Sequence, residues 1–174
     1  MEDIEIKKVT IHDIDQLQKI GQQTFFETFS AVNSEENMTK YLQEGFSKEK
    51  LTTELCNTNS EFYFASMEGQ IIGYLKLNFA QSQTELHDDE SLEIERIYVL
   101  KDFHGKKIGQ LLYEKAIEIA RINKLEFIWL GVWEENPRAL NFYKKNGFIV
   151  FGKHIFKLGN SEQIDLMMKL KLTE

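Results

Sequence analysis

The feature that most limits what this chain can fold into is a strand–loop–helix–strand succession in its middle third. Ser91–Leu100 reads as a strand. Gly109–Asn123 carries Leu111, Leu112, Ala116, Ile119 and Ala120 as the apolar stripe of a helix. Leu125–Trp133 is a nearly continuous apolar run, as in a central strand covered on both faces. A helix between two strands of one sheet makes a crossover, and such crossovers are right-handed.

Around this unit the pattern predicts a strand at Asp3–Val9, then a helix opened by Thr10 and running to Phe29, bent near Gly21. Two shorter helices open at Ser34 and Ser47. Glu61–Met67 and Ile71–Phe79 form a hairpin turning at Glu68-Gly69, and Gln81–Glu90 is a polar loop. Asn136 caps a helix with Pro137 in its first turn, which ends at Asn146-Gly147. Two strands close the chain, near Phe148–Phe156 and Gln163–Leu170. The expectation is one α/β domain over residues 1–174, without repeats or linkers.

The chain has 174 residues, 42% of them hydrophobic, enough for a core without staples. Its one cysteine, Cys56, forms no intrachain disulfide, and the tendency of free Cys to be buried places it near an apolar helix face. A net charge of −7 argues against a nucleic-acid partner and suits a cationic substrate. No signal-peptide pattern opens the sequence and no stretch approaches the roughly 18 apolar residues of a membrane span, so a cytoplasmic setting without membrane attachment is expected.

The stretch from Ile97 to Leu111 places a strand end, a short polar loop and a helix start in succession. The first turn of a helix has N–H groups without internal partners and the positive end of its dipole, which together bind phosphate. Gly105 and Gly109 clear space for close approach, while Lys106 and Lys107 add positive charge. The three-glycine dinucleotide fingerprint and its acidic strand end are missing: the next strand ends in Val132-Trp133.

After that strand, Asn136, Ala139, Leu140 and Tyr143 share one side of a helix, with small Ala139 leaving room for a ligand. Together the two segments resemble the GNAT acetyltransferases, whose acetyl-CoA motif reads Q/R-x-x-G-x-G/A at a strand-to-helix turn, followed about 30 residues later by N-x-x-A-x-x-x-Y-x-x-x-G-F. Asn136, Ala139, Tyr143, Gly147 and Phe148 match the second part in full. In the first part Gly109 fits, His104 stands at the Gln/Arg position and Lys107 at the first glycine. A positive φ would strain a lysine there; the reading favoured is that the turn needs only a free amide N–H. Thr24–Phe29, Ser91–Val99 and Ile128–Glu134 further resemble the PaiA-type branch, associated with spermidine and spermine N-acetylation.

The resemblance implies a mixed, mostly antiparallel sheet of about seven strands flanked by helices, with splayed ends near Ile97–Val99 and Leu130–Val132. It implies acetyl-CoA as cosubstrate, held by Ile97, Tyr98, Val99, His104, Gly105, Lys106, Lys107, Ile108, Gly109, Gln110, Asn136, Ala139 and Tyr143, and no metal. Tyr143 is the expected acid toward the departing thiolate. Glu93 and Glu95 fall on one strand face, and Glu95 is the expected base, acting through water, with an ion pair as its structural rival. Glu27, Phe29, Glu93 and Trp133 are expected to line the side where a small amine enters. Acetylation of a protein N-terminus or lysine, or a non-catalytic coenzyme-binding module, are the alternatives. A C-terminal strand at an exposed edge could pair two copies as a homodimer.

Overall fold

A computed structural model describes residues 3–172. Seven strands form one sheet in the order β1-β2-β3-β4-β5-β7-β6. They are β1 (Ile4–Lys8), β2 (Ser60–Met67), β3 (Gln70–Phe79), β4 (Ser91–Val99), β5 (Phe127–Trp133), β6 (Ile149–Leu158) and β7 (Ser161–Lys171). Only β4 and β5 run parallel. The helices are α1 (Ile14–Phe29), α2 (Glu35–Gly45), α3 (Lys48–Cys56), α4 (Ile108–Ile122) and α5 (Pro137–Lys145).

Alternation along β2 shows how the layers are placed. Phe62 lies under Lys76, which pairs with Glu54 of α3, while the next residue, Tyr63, meets Lys115 of α4. Successive side chains point to opposite faces, so α3 and α4 cover opposite sides of the sheet. Helix starts follow the caps legible in the sequence. Thr10 forms a capping box over a short 3-10 turn (Ile11–Asp13) leading into α1, and Ser34, Ser47 and Asn136 cap α2, α3 and α5. Both residues of the Glu68-Gly69 turn have positive φ, the geometry of a tight hairpin whose twist matches its strands.

Three expectations need correction. The last strand is not an edge: β7 is paired on both sides, by β5 and β6, and the edge is β6. Cys56 is exposed at the end of α3, because the apolar contacts of that helix are made by Leu51 and Leu55. α1 runs unbroken through Gly21, where the missing side chain admits the ring of Phe46.

A β-carbon at Gly21 would lie 2.7 Å from Phe46 Cδ1. Gly→Ala inside a helix ordinarily stabilises. Here Gly21→Ala is expected to destabilise by about 1–3 kcal/mol through overpacking, read by urea unfolding. An unchanged or higher midpoint would contradict this packing.

Candidate active site

The site begins where two strands stop pairing. β4 and β5 are in register from Ser91↔Phe127 to Ile94↔Leu130 and no further. Beyond that point β4 stays with β3 and β5 stays with β7. The Leu100 N–H bonds Ile72 of β3, so by strand alternation the N–H groups of Ile97 and Val99 face the gap. On the other bank, Glu134 donates to Ile164 of β7, which turns the backbone of Trp133 and Gly131 toward the same gap. Gly131 is exposed although it sits in a central strand.

A bulge adds to the divergence. Ile94 and Arg96 of β4 oppose consecutive β3 residues, Leu77 and Lys76, leaving Glu95 without a strand partner. Arg96 is thereby aimed at α3, where Glu54 takes both guanidinium nitrogens at 3.0 Å. Glu95 pairs with Lys76 and accepts from Asn78 at 3.2 Å. Against the cost of burial, Arg96 and then Lys76 hold the Glu95 carboxyl at about 2. Glu95 is therefore a fixed anion and a poor proton acceptor.

Glu93 does share a face with Glu95, since Asn78 Nδ2 reaches both. Thr84 donates to it through its N–H and hydroxyl, and burial pushes its pKa up. These bonds draw the β3–β4 connection into the wall of the site. Gln83 anchors that segment to Ser91 and to the buried indole of Trp129.

The loop after β4 ends in an open helix terminus. Leu111 makes the first backbone bond of α4, to Lys107, which leaves the N–H groups of Ile108, Gly109 and Gln110 without helical partners. Lys107, at the N-cap, supplies no side-chain cap, unlike the serines and asparagine that close α2, α3 and α5. A β-carbon at Gly105 or Gly109 would meet nothing within 4 Å, so packing within the protein does not demand either glycine. An uncapped N-terminus with clear space above it fits the diphosphate of a coenzyme.

Two residues of this turn behave differently from expectation. Lys107 has φ +64, so the turn needs a left-handed residue and not merely a free N–H; a non-glycine residue is strained there by about 1–2 kcal/mol. His104 is tied by Nε2 to the Val99 carbonyl at 2.8 Å and so shapes the loop. Lys106 packs over Phe103.

α5 brings Tyr143 to the gap. Asn136 caps it by accepting from Ala139 N–H, and Asn136, Ala139 and Tyr143 all line a cavity of about 340 Å³ that also exposes Gly131, Tyr98 and Glu95. Tyr143 is buried, and burial with Tyr98 alongside pushes its pKa up, so the phenol stays protonated. Phe29 and Trp133 line the same cavity with ring centres 5.7 Å apart. Glu27 does not line it: its carboxylate accepts from Lys101 N–H at 2.6 Å and ties α1 to the loop after β4.

Three cavity residues carry no signal in the linear sequence: Glu85, His154 and Asp165. His154 and Asp165 are cross-strand partners on β6 and β7, and Trp133 opposes Asp165 from β5. Only the register of the terminal hairpin brings them to one face. Among the described residues, no group of three or more His, Cys, Asp or Glu could hold a metal ion, and no helix is long and apolar enough to cross a membrane.

Glu95→Gln is expected to lower stability by roughly 3 kcal/mol at pH 7, since it removes one of the two carboxylates that hold the buried Lys76. The folded carboxyl sits at about 2 against 4.5 for the unperturbed group. Its contribution is therefore whole above pH 4.5 and is lost as pH falls toward 2. Urea unfolding between pH 7 and 2 should show wild type approaching the variant below pH 4.5. A gap independent of pH would contradict the ion pairing.

Comparison with known proteins agrees with this geometry. The model of the acetyltransferase (GNAT) family matches residues 20–148. An N-acetyltransferase of Lactobacillus delbrueckii subsp. lactis is 39% identical over 172 residues, covering 99% of both chains. The spermidine N(1)-acetyltransferase of Thermoplasma acidophilum is 30% identical over 151 residues, covering 84% of this chain and 89% of that one. The crystal structure of the PaiA N-acetyltransferase of Thermoplasma acidophilum in complex with coenzyme A superposes with a TM-score of 0.81 at 28% identity, covering 98% of this chain and 99% of that one. The open strand pair, the uncapped helix and these likenesses together place the chain in the GNAT family, as an N-acetyltransferase that uses acetyl-CoA.

Proposed function

We propose that the chain works as one domain that acetylates a primary amine of a small cationic molecule, with polyamines such as spermidine and spermine as the preferred class. The observation that carries this is the charge of the cavity. Glu85, Glu93, Glu95 and Asp165 line it against two fixed cations, Lys50 and Arg96, and Arg96 is already engaged by Glu54. An amine carrying several ammonium groups gains from such a wall, and the aromatic faces of Phe29 and Trp133 suit its alkyl segments and cationic heads. About 340 Å³ also matches a small ligand better than a folded protein surface. The spermidine acetyltransferase among the relatives points the same way.

When bound, acetyl-CoA supplies an acetyl group activated as a thioester. The amides of Ile108, Gly109 and Gln110 would grip its diphosphate, with Asn136 and Ala139 beside the pantetheine arm. The N–H groups of Ile97 and Val99 that face the gap are donors for the thioester carbonyl, where negative charge develops. Tyr143 serves the departing sulfur. With its pKa raised, complete transfer to a thiolate of pKa about 8.5 runs uphill. Its role is a charge-assisted hydrogen bond that grows as the sulfur becomes anionic. Glu95, fixed as an anion, draws and orients the cationic substrate through the field it shares with Glu93.

A thiol-release screen over polyamines, aminoglycosides and peptides tests the assignment, with spermidine or spermine expected to give the highest kcat/KM. Tyr143→Phe should lower kcat by about 10²–10³-fold and leave coenzyme affinity, measured by calorimetry, nearly unchanged. Normal turnover by that variant would remove the donor role. Release with peptides alone would remove the polyamine reading.

A further inference from the structure

We infer that His154, flanked by Asp165 and Glu85, is the group that takes the proton from the attacking amine. This rests on the amine acetylation proposed above and names a residue for its least settled step.

An amine that arrives as an ammonium must lose a proton before its lone pair can attack. The carboxylates nearest the gap are poorly placed for that work. Glu95 is bound to Lys76 and Arg96, and both oxygens of Glu93 are occupied by Thr84 and Asn78. Imidazole is the side chain best matched to proton transfer near neutral pH.

His154 stands on the open side of the gap. A β-carbon built on Gly131 would come within 3.3 Å of His154 Cε1 and 3.6 Å of Asp165 Oδ2, so the two side chains lean over the one exposed glycine of β5. Gly131 and Tyr143 line the same cavity. The charged groups facing the ring are Asp165 from β7, with Oδ2 3.7 Å from Nε2, and Glu85 from the β3–β4 connection, with Oε1 3.8 Å from Nδ1. Among its other neighbours, β5 offers Gly131 and Trp133, and Tyr41 of α2 lines the same cavity.

The buried Nδ1 has no hydrogen-bond partner. A buried polar atom without a partner is uncommon in a folded protein and calls for a reason. Glu85, 3.8 Å from it, favours the tautomer with its hydrogen on Nδ1, which leaves the lone pair on Nε2, the nitrogen that faces Asp165. An ammonium drawn to Asp165 meets that lone pair. His154 accepts one proton, the neutral amine forms the N–C bond, and the C–S bond of the thioester breaks. The nitrogen then gives its second proton to the departing sulfur, which leaves as a thiol hydrogen-bonded to Tyr143, while the first proton stays on the imidazolium. The imidazolium returns its proton to solvent. The products are an N-acetyl amide, a thiol and one proton.

The test compares wild type with His154→Gln, His154→Ala and Asp165→Asn, using spermidine and saturating acetyl-CoA from pH 6 to 10. Calorimetric binding of coenzyme A and of spermidine is measured alongside and confirms that each variant is folded. Both His154 variants should bind coenzyme A as wild type does and lose about 10²-fold in kcat near pH 7. KM for spermidine should move little, and the deficit should shrink as pH nears the amine's own pKa of about 10. Asp165→Asn, a positioning change, should lower kcat by less than either His154 variant and leave coenzyme A affinity unchanged. Retained kcat in His154→Gln, a loss confined to KM or spermidine affinity, or a deficit equal at every pH would each overturn the assignment. If wild type releases thiol with no amine at all, the functional reading falls and this one falls with it.

Discussion

The hydrogen bonds that β4 and β5 do not make govern the rest of the molecule. Pairing runs to Ile94 and Leu130 and then stops, although both strands continue. Backbone N–H and C=O groups inside a protein need partners. The N–H groups of Ile97, Val99 and Gly131 turn toward an opening that no strand fills, and an extended amide-bearing ligand is one way to complete them. The coenzyme arm has that character. We propose that this gap in the sheet is the means by which the fold receives the coenzyme between its strands.

Two features keep the strands apart. The bulge at Glu95 turns Arg96 toward Glu54 of α3 and sets Lys76 against Glu95, so β4 is tied to β3 and the α1–α3 layer by a buried ionic network. On the other side, β5 is secured by seven residues of register with β7. The network costs desolvation and returns orientation. It fixes the floor of the cavity and leaves Glu85, His154 and Asp165 facing one another on the wall. At the far end, α4 starts without a side-chain cap and on a strained lysine. Such strain persists where surrounding structure imposes it, commonly at a binding turn.

Much of this was legible along the chain, because it depends on local signals. The crossover unit, the Glu68-Gly69 turn, the cap at Asn136 and the Gly147 C-cap are each set by a few adjacent residues. The spacing from Asn136 to Tyr143 is helical, so sequence alone puts both on one side, where the cavity is found. Seven strands are read from the order of elements, and the family resemblance implies that they share one sheet.

What escaped the sequence depends on long-range register. His154 and Asp165 lie 11 positions apart and meet only because the terminal hairpin pairs them. Glu85 reads as one more acid in a polar loop, and it reaches the cavity because Gln83 and Thr84 fasten that loop against the sheet. Glu27 has the chemistry of a substrate ligand, yet tertiary packing gives its carboxylate to Lys101. The left-handed backbone at Lys107 is masked by a residue type that disfavours it.

The most direct measurement is a crystal structure of the protein with coenzyme A. The account predicts the diphosphate against the N–H groups of Ile108, Gly109 and Gln110, the pantetheine arm between the diverging strands, and the sulfur within hydrogen-bonding reach of the Tyr143 hydroxyl. A complex with the coenzyme bound elsewhere, or with Tyr143 turned away from the sulfur, would contradict it.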